Sequence, residues 1–438
     1  MMNAQAHTIT PELLRLVLTE QHEYFEQDCQ NLGVERQVLG LLGAAIDSPQ
    51  VVVITGLRRV GKSTLLAQIA AKHLQDDYYY VSFEDERLIN FQASQFDMMY
   101  ETLVSLRGEK KIFLLDEVQN IPEWERFVRR FHDQGFKFFV TGSNASLLSR
   151  ELGTRLTGRS VRVELFPFSF AEYLKFKKKS STLPKTVTTK QKGILNKLLE
   201  EYLATGGIPD ALKYPDLDIH QTLYDDVLYR DIATRYKIDN VKSLRELAFY
   251  LSSNSASLAS FNKIKQHLRL GSVNTVSKYV GYLEESWLIF ILNKHAYSVK
   301  EQQIASKKIY GVDTGMINSV GFSFSKNTGR LLENLVYLQL RRKNPSQRDL
   351  YYLKTSQGHE IDFFLPKKGE LIQVAQQVAA PDILSREVRS LQGAAQETQQ
   401  KGKKLKKLLL VQHEPQGLTE AQDLGVEVVP LYRWLLEE

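Results

Sequence analysis

The densest chemical signature in the chain is GLRRVGKST, made of Gly56, Leu57, Arg58, Arg59, Val60, Gly61, Lys62, Ser63 and Thr64. In the spacing G-x-x-x-x-G-K-S, the glycines let backbone N–H groups converge on a phosphate, and the helix that opens behind them adds the positive end of its dipole. Lys62 then reaches the β and γ oxygens as a point charge, and the Ser63 hydroxyl ligates magnesium. The implied cofactors are ATP and Mg2+. A second acid must hold the metal from a neighbouring strand, and IFLLDE supplies it: Asp116 for magnesium and Glu117 to polarise the attacking water. A glutamate in that place points to hydrolysis rather than to transfer onto a bound acceptor. TGSNASLL follows another apolar run, so Ser143 or Asn144 projects a polar group towards the γ-phosphate, unless it is a plain turn residue. In GTRLTGRS, Arg155 and Arg159 are candidates to stabilise transition-state charge, in their own subunit or across an interface; a surface arginine is the alternative.

These groups need a scaffold. VVVIT (51–55), YYYVSF (78–83), KIFLLD (111–116) and FKFFVT (136–141) are apolar runs separated by helical stretches such as TLLAQIAAKHL, the pattern of a parallel sheet covered on both faces. Residues 8–47 read as helical. The pattern changes near Phe166, where KFKKKSSTLPKTVTTKQK (175–192) reads as a solvated loop or linker. Helical periodicity dominates 193–287, and mixed α and β return after Lys307. The expected division is an N-terminal helical segment 1–47, a P-loop domain 48–180, a helical domain 190–300 and an α/β domain 305–438.

Composition sets outer bounds. With 43% hydrophobic and 25% charged residues the chain is expected to be globular throughout. The single Cys29 excludes a disulfide framework and a cysteine-based zinc site. No apolar run approaches the ~20 residues that cross a bilayer, and MMNAQAHTITPELL carries no secretory pattern. The expectation is a cytoplasmic protein with no membrane partner. A net charge of +6 permits a nucleic-acid partner without demanding one.

The order of GLRRVGKST, FLLDEVQ, FVTGSNASLL, LTGRS and ELFPFSFAEYL resembles that of the AAA-type bacterial and archaeal ATPases with a C-terminal domain of unknown function. YLATGGIPDAL, LYRDI and GVDTGMIN extend the resemblance over nearly the whole chain. It implies an AAA+ fold, ATPase activity, and a homo-oligomer, often a ring, in which arginines complete a neighbour's site.

Between 241 and 290, FNKIKQHL, a break at Gly271 and a helix VNTVSKYVGYLEESW capped by Ser272 read as a helix-turn-helix, and LIFIL can start the strands of a winged helix. Asn274, Thr275, Ser277 and Lys278 then face outward as residues that touch phosphates and base edges, with Lys263, Lys265 and Arg269 nearby. Lys175 to Lys179 can touch backbone phosphates or simply be solvated. The expected partner is DNA; a helical packing module or a protein-binding winged helix is the alternative. Residues 330–375 follow the element order of the restriction-endonuclease-like fold, with Glu333 on a helix, Asp362 in HEIDFF and Gln373 in LIQVA. Active members of that fold add a lysine to hold metal and water, but that position is Ala375. The expectation is a degenerate nuclease scaffold used for DNA or partner binding, in which Glu333 and Asp362 hold a metal weakly at best. The lysines at 401–407 either assist or only solubilise. Three functions are thus open: an ATPase that binds DNA through its winged-helix and C-terminal domains as a nucleic-acid motor or switch, a signalling ATPase whose appended domains bind protein, and an ATP-dependent metal nuclease.

Overall fold

The expected apolar runs pair side by side. In the computed structural model, β1 (Val51–Thr55), β2 (Tyr79–Ser82), β3 (Ile112–Asp116), β4 (Lys137–Gly142) and β5 (Ser160–Glu164) form one parallel sheet in the order β2-β3-β4-β1-β5. Residues 9–143, 156, 158–184, 186–321, 328–344, 348–376, 381–398, 405–413, 421 and 423–437 are described. The chain divides into two compact units, Met1–Phe166 and Pro167–Glu438.

In the first unit Val51, Val52, Val53 and Ile54 are wholly buried, as parallel strands covered on both faces must be. Helix α1 (Pro11–Gln30) starts where the Thr10 hydroxyl accepts the Leu13 N–H, and it buries Leu14, Val17 and Leu18 in the same core as Val51, Val53 and Val81. Of the helical segment expected at 1–47, α1 is therefore part of the sheet's own core. It also breaks: short helices Gln37–Leu41 and Gly43–Asp47 follow α1. Lys137 ties their end to the sheet, its Nζ donating to the carbonyls of Ala45 (2.6 Å), Ser48 (2.7 Å) and Gln50 (2.6 Å). Burial brings this ammonium down to about 8. Helices α2 (Lys62–Ile69), α3 (Phe96–Arg107) and α4 (Trp124–His132) complete the unit.

In the second unit α5 (Thr189–Thr205) and α6 (Ile219–Asp226) pack with α10 (Thr314–Val320). Asp313 explains two sequence motifs at once: its carboxylate accepts N–H bonds from Gly207 (2.6 Å), in the GGIPD stretch, and from Met316 (3.0 Å), capping α10. Between these helices lie α7 (Val241–Ser253), β6 (Ser257–Ala259), α8 (Phe261–His267), α9 (Val273–Glu285), β7 (Ile289–Leu292) and β8 (Lys307–Gly311). The strands form an antiparallel sheet in the order β6-β8-β7. The helical domain expected to end at 300 thus runs on through β8 and α10.

The chain ends with α11 (Thr328–Lys343), β9 (Tyr351–Lys354), β10 (Glu360–Leu365), β11 (Glu370–Ala375), α12 (Pro381–Thr398), β12 (Lys406–Val411) and β13 (Val426–Pro430). Its sheet order is β13-β12-β11-β10-β9, antiparallel from β9 to β11 and parallel from β11 to β13. Ile361, Leu371, Leu391 and Leu409 fill its core. Among the described residues no helix is long and apolar enough to cross a membrane.

Asp313→Ala would orphan two backbone donors at a position only 3% exposed. At about 1–3 kcal/mol for each orphaned group, urea unfolding followed by tryptophan fluorescence should show a clear loss of stability. Asp313→Asn, which keeps one acceptor oxygen, should recover part of it.

Candidate nucleotide site and a buried acid cluster

All five strands of the first sheet end on one edge, and the polar residues collect there. β1 hands the chain to Gly56, where a Cβ would stand 2.2 Å from the Leu165 carbonyl oxygen; only glycine tolerates that approach. The loop passes through left-handed backbone at Arg59 (φ 61°) and Gly61 (φ 92°) before α2 begins at Lys62. It is clamped from behind by Arg36, which is 4% exposed and donates to Val60 O and Phe166 O at 2.6 Å each. Gln68 on α2 holds the Arg36 segment in turn, accepting the Arg36 N–H (3.2 Å) and donating to Leu32 O (2.9 Å) and Val34 O (2.8 Å).

At the centre Lys62 is 5% exposed. Its Nζ lies 3.0 Å from Glu117 Oε1, with the carbonyls of Gly56 (3.4 Å) and Leu57 (3.3 Å) beside it. The Ser63 hydroxyl donates to Asp116 Oδ2 at 2.6 Å, Tyr80 donates to the same oxygen at 3.3 Å, and the Thr141 hydroxyl donates to Oδ1. Glu117 is held from three sides: its N–H donates to Thr141 Oγ1 (2.9 Å), and its Oε2 accepts from the Gln119 amide and the Ser143 N–H (3.2 Å). Burial and the Glu117 charge push Asp116 up from the usual carboxylate range. Burial also opposes the Glu117 charge, but the Lys62 ammonium and the Gln119 amide outweigh it and hold Glu117 at about 2. Glu117 adopts left-handed backbone (φ 49°), a strain typical of residues held for a purpose. A hydroxyl and a carboxylate in direct contact are the hard oxygen donors that suit magnesium, so Ser63 and Asp116 fit that ion.

The other expected site residues fall as follows. Arg58 pairs with Glu84 at 2.9 Å, Arg59, Ser63 and Thr64 are exposed, Leu57 and Val60 are buried, and Ser143 is buried at the tip of β4. Asn144 and Arg155 lie outside the described residues. For Arg159 the geometry bears on one of the placements left open, its own subunit. Because Val51 pairs with Ser160, Arg159 stands where β1 starts, and it pairs with Asp133 at 3.3 Å. A strand of five residues, about 16 Å at ~3.3 Å per residue, separates it from the phosphate loop of its own chain. Thr141, Tyr80, Arg36 and Gln68 were missed, since nothing local marks a residue whose partners are distant in sequence.

In the second unit Asn274, Ser277 and Lys278 are exposed on α9. Thr275 is half-buried and gives its N–H to the Ser272 cap at 3.0 Å. Lys263 and Arg269 are exposed and Lys265 is half-buried. Lys175, Lys177, Lys178 and Lys179 are exposed. Of the later run, residues 401–404 lie outside the described residues; Lys406 pairs with Glu427 (3.2 Å), and Lys407, only 9% exposed, donates to Gln392 (2.7 Å).

The structure brings Glu333, Asp362 and Gln373 together. Asp362 accepts the Val374 N–H (3.0 Å), and its own N–H donates to Gln373 Oε1 (3.2 Å). Ala375 does leave β11 without an ammonium, but the expectation of a cluster without one is corrected. Lys308, on β8 and 1% exposed, places its Nζ 2.9 Å from Glu333, 2.8 Å from Glu360 and 2.9 Å from Asp362. Tyr310 donates to the same Glu333 oxygen at 2.7 Å. Burial disfavours the Lys308 charge, yet the carboxylates outweigh it and hold the ammonium well above its usual range. Burial and the Asp362 charge push Glu333 up from the usual carboxylate range, while the Lys308 ammonium pulls it back down.

Family models match the chain as an AAA domain over residues 48–174, a domain of unknown function (DUF8612) over 196–327 and a domain of unknown function (DUF4143) over 328–434. An uncharacterized protein of Methanocaldococcus jannaschii is 35% identical over 398 residues, which cover 88% of each chain. An uncharacterized protein of Haemophilus influenzae is 30% identical over 344 residues, 75% of this chain and 82% of its own. Among solved structures, the Aeropyrum pernix ORC1 protein in complex with DNA covers 67% of this chain and 91% of its own, at 12% identity and a TM-score of 0.30. That likeness is too slight to support anything further.

Arg36→Met should remove the clamp on the loop. Removing the donor from two buried carbonyls costs about 1–3 kcal/mol for each group left unpaired, so thermal unfolding should shift down. Because Val60 sits inside the phosphate loop, affinity for an ATP analogue should weaken as well, measured by isothermal titration.

Proposed function

Because the chain belongs to the family of AAA-domain proteins that carry these two domains of unknown function, we propose that it hydrolyses ATP and couples that cycle to DNA bound by its second unit. The observation behind the hydrolytic reading is the meeting of Lys62, Ser63, Asp116 and Glu117 at one sheet edge, with the ammonium and the base already in contact. Lys62 exchanges its Glu117 partner for the β and γ oxygens of ATP. Glu117, released from the ammonium, orients a water and accepts its proton. Ser63 and Asp116 hold Mg2+, which supplies positive charge to the phosphates when bound. Ser143, whose N–H already touches Glu117, relays whether the γ-phosphate is present. Arg159, too far from its own loop, serves a neighbouring subunit in a homo-oligomer, a ring being the form that the family resemblance suggests.

The DNA reading draws on the order helix, strand, helix, helix, strand from α7 to β7, with β8 following after a short helix at Val299–Ile304. That is the order of a winged helix with a helical insert between its last two strands. Asn274, Ser277 and Lys278 are open on its third helix, beside Lys263 and Arg269. A second reading, in which the appended modules bind protein, is favoured by Tyr297, Val299 and Ile304 in the β7–β8 connection, which are 79%, 70% and 76% exposed.

Lys62→Ala should abolish ATP binding or turnover, and full activity in that variant would remove the ATPase claim. Glu117→Gln should keep nucleotide affinity while turnover falls by about 10²–10⁴. For DNA, labelled duplex, single-stranded and branched substrates should be titrated at several salt concentrations, with and without an ATP analogue. Affinity should fall steeply with salt, and Lys278→Ala should reduce the log–log slope by about 1. Binding that stays weak at low salt would leave the protein-binding reading standing.

A further inference from the structure

We propose that Lys308 is the resident cation of the Glu333–Glu360–Asp362 cluster, standing where a divalent ion would sit, so that the C-terminal domain takes up no metal and cleaves no phosphodiester. The inference rests on geometry and is independent of the ATPase and DNA readings.

Three carboxylate oxygens, from α11 and from two positions of β10, converge on one nitrogen at 2.8 to 2.9 Å. An ammonium has three N–H donors and no acceptor, so each proton has its own carboxylate. Each of the three acids thus gives one oxygen to the same ammonium. A magnesium ion bonds oxygen at about 2.0–2.1 Å and a calcium ion at about 2.3–2.6 Å. Either ion, placed among these same oxygens, would overlap Nζ. Occupation by lysine and by metal are therefore mutually exclusive.

The rest of the cluster is committed as well. The second oxygen of Asp362 accepts the Val374 N–H, and the Glu333 oxygen that faces Lys308 also takes the Tyr310 hydroxyl. A lysine that assists a metal stands beside the ion, against the water or phosphate to be activated. Lys308 instead stands at the meeting point of all three acids and is 1% exposed, so it presents no proton to an incoming phosphodiester. The ammonium missing at Ala375 has thus been replaced from a different sheet, and its new position seals the site. Withdrawing it would leave the buried Asp362 facing the half-buried Glu333 and Glu360, a repulsion that another cation or protonation would relieve.

The test uses the full-length, nucleotide-free protein and Mn2+, followed by electron paramagnetic resonance titration. Wild type should show no site at the cluster. Lys308→Ala, which empties the centre, should gain a Mn2+ site at least about tenfold tighter than any in wild type. That site should disappear in the Lys308→Ala/Asp362→Asn double variant. A wild-type Mn2+ site lost in Asp362→Asn would overturn the proposal. So would Mn2+-dependent DNA cleavage by wild type that vanishes in both Lys308→Ala and Asp362→Asn, since Lys308 would then be catalytic. If Lys308→Ala does not fold, acylation footprinting of wild-type lysines decides. Lys308 should stay unmodified with and without millimolar Mn2+, and metal-induced labelling at Lys308 would show that the ion can displace it.

Discussion

A lysine out of contact with water survives only where its surroundings are arranged to keep its charge, and this chain is organised around two of them. Isolated burial of an ammonium is costly enough that the group would shed its proton. Lys62 and Lys308 meet that constraint in opposite ways. Lys62 has one carboxylate at 3.0 Å and two long carbonyl contacts, a set that phosphate oxygens can outcompete. Lys308 has three carboxylates at bonding distance, which no anionic ligand would displace. The same residue type is thus loosely held in one unit and firmly braced in the other, and the difference is the number of acids facing it.

The first arrangement follows from strand direction. In a sheet whose strands all run one way, the apolar interiors lie side by side and every polar end falls on one edge. Thr141 shows how closely that edge is wired. Its hydroxyl receives the Glu117 N–H and donates to Asp116, so one side chain from β4 orients the acid that ends β3 and the acid just after it. Arg36 contributes from outside the sheet by fixing the far side of the loop at Val60 and Phe166.

Much of this was readable in advance, for physical reasons that also mark where reading failed. Doubly covered parallel strands are unbroken apolar runs, so β1 to β4 announce themselves. β5, SVRVE, sits at the edge with only Val163 buried and gives no such run. The glycine-rich loop is a local motif within nine residues, Gly56 to Thr64, so its place between β1 and α2 was legible, while the distant Arg36 that clamps it was not. The position of Arg159 depends on the pairing of Val51 with Ser160, a long-range fact that spacing along the chain does not carry. Lys308 is separated from Asp362 by 54 positions and arrives from another sheet, so the missing lysine at Ala375 was visible while its replacement was not.

Strand β8 carries a further consequence. Lys308 and Tyr310 point one way into the acids, while Ile309 between them is buried on the opposite side at 1% exposure. The pairing that sets this alternation is Phe290 with Tyr310 and Leu292 with Lys308. A slip of one residue would exchange the faces, driving an ammonium into hydrocarbon and an isoleucine among carboxylates. The acid cluster therefore penalises a one-residue misalignment of this short strand, and the folding chain carries its own check against exchanging the two faces.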